Sequence, residues 1–153
     1  MTINTAITIS GVGRSFGETL IKNSKLEQLI GVDQGFIQKK TGIFRRFYAN
    51  GIRLISSYCC EAVSDALNTS RLGFSEIDCI ICATFSGDDI YPSLALKIAS
   101  NFESARNILA FDLKANCTGM QSAFMVADGL FVTNPDYKNI LVVGNGIQSN
   151  FID

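Results

Sequence analysis

The stretch Phe111-Asp112-Leu113-Lys114-Ala115-Asn116-Cys117-Thr118-Gly119-Met120 joins a strand-like run beginning at Ile108 to a helical pattern over Thr118–Phe131. A thiol at the first turn of a helix lies near unpaired backbone N–H groups and the positive end of the helix dipole, a setting that stabilises thiolate. Gly119 lets the backbone or a ligand approach closely. Cys117 is therefore the leading candidate nucleophile, against the alternative of a cysteine packed as a small hydrophobe. The chain contains no histidine, so the usual base for such a thiol is missing from it.

On either side of this junction, strand-like and helix-like segments alternate along the chain. Ala6–Gly13 reads as a short apolar strand ending in glycines, followed by a polar stretch to Ser24. Short helices are expected near Leu26–Ile30 and Phe36–Lys40, and then a turn with a short extended piece at Thr41–Phe47. Ile52–Leu67 carries Ile55, Cys59, Ala62, Val63 and Ala66 near the helical period. A buried strand comes next at Ile77–Thr84, and Pro92 is expected to open a helix running to Asn101, since a missing amide proton costs nothing in the first turn. Strand Ile108–Leu113, helix Thr118–Phe131 and strand Asn139–Gly144 complete the series, with Pro135 in the last loop. Continuous apolar strands separated by helices predict an α/β fold with a mostly parallel sheet covered on both faces. No internal repeat or interdomain linker is evident, and 153 residues suit one domain.

Composition narrows the function classes. The chain is 47% hydrophobic and 18% charged, with a formal net charge of −1, so nothing in its bulk electrostatics favours nucleic acid or an anionic membrane surface. No apolar run reaches the roughly 18 residues of a membrane span, and Met1-Thr2-Ile3-Asn4 lacks a signal-peptide start. A cytoplasmic protein is expected. Five cysteines without an export signal favour reduced thiols. Cys59 and Cys60 fall in a helix. Cys79 and Cys82 have C-x-x-C spacing but sit in a strand, where positions three apart face opposite ways. No metal site is expected.

Several stretches together carry a family resemblance. Lys39-Lys40-Thr41-Gly42-Ile43-Phe44-Arg45-Arg46 resembles the R-T-G-I-x-x-R segment of the ketoacyl synthase III family of condensing enzymes. Ala83-Thr84-Phe85-Ser86 and Tyr91-Pro92-Ser93 resemble its A-T-x-S and F-P-S pieces. Phe111–Met120 is similar to its F-D-x-x-x-x-C-x-G-F nucleophile segment, and Val126-Ala127-Asp128 and Val142-Val143-Gly144 match the family's pieces C-terminal to that segment. The pieces occur in the family's order and at about its spacing over nearly the whole chain.

The resemblance implies a thiolase-like fold: two similar halves, each a five-stranded mixed sheet with helices. On that reading, residues 1–153 are most of the N-terminal half, ending before its last strand and before the C-terminal half that carries the histidine and asparagine of a Cys-His-Asn site. It also implies that Cys117 attacks an acyl thioester of coenzyme A or acyl carrier protein, releases coenzyme A, and passes the acyl group to a malonyl-type or other nucleophilic acceptor. No permanently bound cofactor is implied. The family's complete unit is a dimer, in a setting of fatty acid or polyketide biosynthesis.

Carried over position by position, Phe36 falls where a tryptophan often stacks on the adenine of coenzyme A; its alternative is a core aromatic. Lys40 stands where an arginine usually contacts coenzyme A, without the planar fork, and with Lys39 it equally reads as a solvated basic face. Thr41 is near the same ligand. Tyr91 matches an aromatic that reaches the dimer partner's acyl tunnel; its alternative is a loop aromatic capping the sheet edge. Asn116 and Thr118 depart from the small apolar residues common beside the cysteine. Arg45 and Arg46 lie near the coenzyme entrance, where they meet either an acidic carrier protein or acidic groups of this chain. Three readings stay open: the nucleophile-bearing part of a condensing acyltransferase completed by a complementary half, a non-catalytic scaffolding subunit that pairs with a condensing enzyme, and a remnant with no function of its own. The departures at Phe36, Lys40, Asn116 and Tyr91 point to specialised, secondary metabolism.

Overall fold

The computed structural model describes residues 7–102 and 108–149, and they fall into two units, one of residues 16–53 and 147–149 and one of residues 7–15 and 54–146. In the smaller unit, Thr19–Lys22 (β1) pairs antiparallel with Arg45–Tyr48 (β2), Thr19 opposite Tyr48 and Lys22 opposite Arg45. Between them lie helices Asn23–Ile30 (α1) and Phe36–Thr41 (α2). Gly31 and Gly42 end these helices in the left-handed conformation, with φ of 71° at each, which glycine adopts without a Cβ penalty. The Glu27 carboxylate, 3% exposed, accepts the Gly35 and Ile37 N–H groups at 3.0 Å each, so one buried charge is matched by donors at the start of α2. The expected polar stretch to Ser24 contains β1, whose four residues are too few to show an alternating pattern.

The larger unit is built on Cys79-Ile80-Ile81-Cys82-Ala83-Thr84. These residues form a strand (β3) buried along its whole length. Helix Ile55–Ser70 (α3) and a 3-10 turn at Phe74–Glu76 precede it; helix Leu94–Ser100 (α4), strand Leu109–Leu113 (β4), helix Gly119–Thr133 (α5) and strand Ile140–Asn145 (β5) come after it. The sheet order is β4-β3-β5, and both pairings are parallel, with Cys79 opposite Leu109 and Ile140. The central position explains the composition of β3, because a strand paired on both edges and covered on both faces has no polar side.

The pleat sends alternate residues to two different helix layers. Cys79, Ile81 and Ala83 pack with Ala123 and Ala127 of α5, supported by Phe111, Leu113, Ile140 and Val142. On the other face Cys82 lies beside Asp112, its partner across the ladder. The Asp112 carboxylate accepts the Leu94 and Ala95 N–H groups of α4 at 2.8 and 2.9 Å. Ile80 and Ile81 are both 0% exposed, and full burial of such a side chain contributes about 1.5–3 kcal/mol. The register of β5 is clamped at its start: Asp78 accepts the Lys138 and Asn139 N–H groups at 2.7 and 3.0 Å and donates its own N–H to the Asn139 carbonyl at 2.9 Å.

Two expectations are corrected here. Pro92 does not open α4: the helix starts at Leu94 with Ser93 as its N-cap, the Ser93 hydroxyl accepting the Leu96 N–H at 3.3 Å, and the Tyr91–Pro92 peptide is cis. The start is set by Ser93 and by the Asp112 carboxylate, which together satisfy orphan N–H groups of the first turn. The strand expected at Ala6–Gly13 is also not formed over residues 7–13, while Ala6 lies outside the described residues. Its backbone is fastened to α3 instead. The Val12 N–H donates to the Thr69 hydroxyl at 3.1 Å and the Arg14 N–H to Asp65 at 3.1 Å. A Cβ on Gly13 would sit 2.0 Å from the Ala62 carbonyl oxygen, so only glycine permits this approach.

Candidate active site

β4 ends at Leu113, and the chain turns through a 3-10 segment, Asn116–Thr118, before α5 begins at Gly119. Cys117 is therefore in the turn that leads into the helix, just ahead of the start expected at Thr118, and it lies within a turn of the N-terminal end. The turn is tied locally: the Thr118 N–H and hydroxyl both donate to the Ala115 carbonyl, at 3.1 and 2.8 Å. Asn116 has a φ of 46°, a left-handed conformation that asparagine tolerates better than most residues. At Gly119 a Cβ would come 3.3 Å from the Ala83 Cβ. The glycine thus lets the first turn of α5 press against the end of β3, and this holds Cys117 at the C-terminal end of the parallel strands. Loops at that end are where open α/β sheets place their ligand sites.

The five thiols are not equivalent. Cys117 is the exposed one; Cys59, Cys79 and Cys82 are buried and Cys60 is intermediate. Burial pushes the Cys59 thiol up to about 12, with Cys60 adding to the effect. Burial pushes Cys79 up to about 11, with Asp78 adding to it. Cys82 is raised further, again by burial first and then by Cys59. In each case low-dielectric surroundings disfavour the thiolate, so these three thiols stay neutral and inert.

The same end of the sheet carries a polar clamp that the sequence pattern does not reveal. The Asn145 amide donates to the Thr84 hydroxyl at 3.1 Å and to the Ser86 carbonyl at 2.6 Å, joining the ends of β5 and β3. Thr84 and Ser86 are 4% and 6% exposed. Two residues on, Asp88 accepts the Ile55 and Ser56 N–H groups at the start of α3 and lies 3.8 Å from the Lys97 ammonium. The A-T-x-S stretch therefore fixes the loop after β3. Tyr91, at the outer part of this loop, is 85% exposed and neighbours Ile90 at 97%; it does not cap the sheet edge. The signal that could have pointed to Asp112 and Asp88 is chemical: a carboxylate inside or beside an apolar run requires donors.

Phe36, Lys40 and Thr41 all fall on α2 in the smaller unit. Phe36 is 42% exposed, which removes the core-aromatic alternative, and the Lys40 ammonium lies 5.9 Å from its ring centroid. The Thr41 hydroxyl donates to the Ile37 carbonyl at 2.7 Å and accepts the Ile43 N–H at 3.1 Å. Among the described residues no cluster of three or more metal-ligating side chains occurs, and no helix is long and apolar enough to cross a membrane.

Residues 111–153 match the family model for 3-oxoacyl-[acyl-carrier-protein (ACP)] synthase III. Over 147 residues the chain is 37% identical to the beta-ketoacyl-[acyl-carrier-protein] synthase III of Syntrophomonas wolfei, covering 96% of this chain and 44% of that protein. The chain is similar to part of the length of ketoacyl synthase III family members. The fold agrees: the Aquifex aeolicus synthase III superposes with a TM-score of 0.85 at 30% identity, over 95% of this chain and 46% of that one. The priming beta-ketosynthase of the R1128 polyketide pathway gives a TM-score of 0.85 at 26% identity, over 95% and 43%. The architecture is thiolase-like, and the chain spans less than half the length of these ketoacyl synthase III relatives.

Proposed function

We propose that this chain is the nucleophile-bearing part of a ketoacyl synthase III-like acyltransferase, with Cys117 as the acyl-accepting group. The observation that carries the reading is the exposed thiol in the turn between β4 and α5, in the position of the family's nucleophile motif. The Cys117 sulfur attacks the carbonyl carbon of an acyl thioester. A new carbon–sulfur bond forms, the bond to coenzyme A or the carrier protein breaks, and that thiol leaves with the proton. Backbone N–H groups at the turn, including that of Cys117, hold the developing oxyanion, a term of about 3–4 kcal/mol per donor. Phe36, Lys40 and Thr41 face the coenzyme, Lys40 offering a point charge to phosphate. Tyr91 supplies an acyl-tunnel or dimer contact.

Transfer of the acyl group to a malonyl-type acceptor requires histidine and asparagine, and the chain contains no histidine. These groups come from a complementary C-terminal half, in the cytoplasm, and the complete unit is a dimer. The test is intact-mass spectrometry of the chain with its complementary half and acetyl-coenzyme A. One acyl group is expected on the wild type and none on Cys117→Ala. An adduct that survives the substitution overturns the assignment of Cys117. No adduct on the wild type favours the scaffolding reading.

A further inference from the structure

The two buried residues of α1 are polar, Asn23 at 8% and Glu27 at 3% exposed, while Leu29 and Ile30 of the same helix are 72% and 61% exposed. Four positions apart, Asn23 and Glu27 share one face of the helix, and both reach the segment that carries α2. The Glu27 carboxylate accepts the Gly35 N–H through one oxygen and the Ile37 N–H through the other, at 3.0 Å each. The Asn23 amide donates to the Ile43 carbonyl at 2.6 Å and accepts from the Arg46 guanidinium at 3.4 Å. α2 is thus held at its start and just past its end, and Phe36 lies between the two N–H groups that Glu27 fixes.

α2 itself does little to set its own position. It has six residues and none is buried, and a helix of that length is not stable by propensity alone. Burying a carboxylate and an amide is costly unless their hydrogen bonds are made. Here they are made to the backbone on either side of α2, and a satisfied polar network rigidifies what it joins. We infer that Asn23 and Glu27 are positioning residues for the acyl donor: they orient α2, and through it Phe36, Lys40 and Thr41, toward the nucleotide end of coenzyme A. The inference rests on the coenzyme-facing role proposed above for those three residues. Asn23 and Glu27 act only through α2, so thioester chemistry at Cys117 does not depend on them.

The test follows acylation of Cys117 by intact-mass spectrometry, in the chain with its complementary half, as a function of the concentration of two donors. One is acetyl-coenzyme A; the other is acetyl-N-acetylcysteamine, which has the thioester without the nucleotide. Glutamine keeps the shape of Glu27 but offers one acceptor atom to two N–H groups. Glu27→Gln is expected to raise the half-saturating concentration of acetyl-coenzyme A about 10-fold at an unchanged saturating rate, the pattern of lost ground-state binding. Its rate with the truncated donor is expected to match the wild type, and Asn23→Ala should show the same split. The split in either variant supports the inference. Equal losses with both donors, or an unchanged dependence on acetyl-coenzyme A, in both variants overturns it. Phe36→Ala and Lys40→Ala separate this inference from the reading beneath it. If they weaken acetyl-coenzyme A binding while the Asn23 and Glu27 variants do not, the inference alone fails; if they have no effect, the coenzyme-facing role of α2 fails and the inference with it.

Discussion

Cys82 and Cys117 belong to the same unit, one in the central strand and one in the turn after its neighbour β4, and their surroundings are opposite. Cys82 is 0% exposed, faces the α3–α4 layer and sits beside another buried thiol, Cys59. Cys117 is exposed, in a turn whose geometry is imposed by Asn116 and by the close approach of Gly119 to Ala83. The side chain is the same in both places. What separates a packing group from a candidate nucleophile is a few residues of backbone that either seal the thiol between layers or carry it past the sheet's end.

The largest effect expected from this contrast is in alkylation at neutral pH. Iodoacetamide should modify Cys117 at least about 1,000-fold faster than Cys59, Cys79 or Cys82, which react only through opening of the core. Peptide mass mapping over time reads the ratio, and comparable rates at Cys82 and Cys117 would break the comparison. An intermediate effect is expected from Asp112→Ala. It leaves two N–H groups of α4 without their acceptor and should cost about 1–3 kcal/mol in denaturant unfolding, while the Cys117 alkylation rate stays close to wild type. A loss below about 0.5 kcal/mol would show that α4 starts without this carboxylate.

The smallest effect lies in the alkaline limb of stability. Cys59 ionises near 9 when unfolded and is held up to about 12 by burial in the fold. Stability is therefore whole below pH 9 and falls as the pH rises from 9 toward 12, because the unfolded chain releases the proton first. Cys79, pushed up to about 11, acts in the same direction. Unfolding midpoints measured from pH 8 to 10.5 should decline for the wild type, and the decline should be shallower for Cys59→Ala. An unchanged slope would count against burial of that thiol.

Much of the larger unit is legible in sequence, for reasons specific to its residues. β3 is a continuous apolar run, and such a run between helical patterns signals a central parallel strand; α3 declares itself by spacing. The departures arise where a distant residue decides. α4 starts at Leu94 because Asp112, 18 positions away in sequence, caps it. Residues 7–13 read as a strand, whereas Thr69 and Asp65 of α3, more than 50 positions away, take the Val12 and Arg14 N–H groups. For the candidate site, Cys117 is legible from its motif, whereas Asn145 is not, since its partners Thr84 and Ser86 come together only when β5 docks on β3. The Asn116 conformation also escapes pattern reading, because left-handed geometry leaves no periodic trace.

The double clamp on β5 also bears on the order in which this chain folds. Asp78 and Asn139, the pair at its start, are 61 positions apart, and the contacts of Asn145 at its end span 61 and 59. Parallel pairing over such separations closes slowly, after the intervening helices have formed. During synthesis β3 emerges long before β5 and must wait with its apolar edge uncovered, a period in which chains are prone to aggregate. When β5 arrives, the clamps at both ends reject a one-residue slip, which would exchange its two faces.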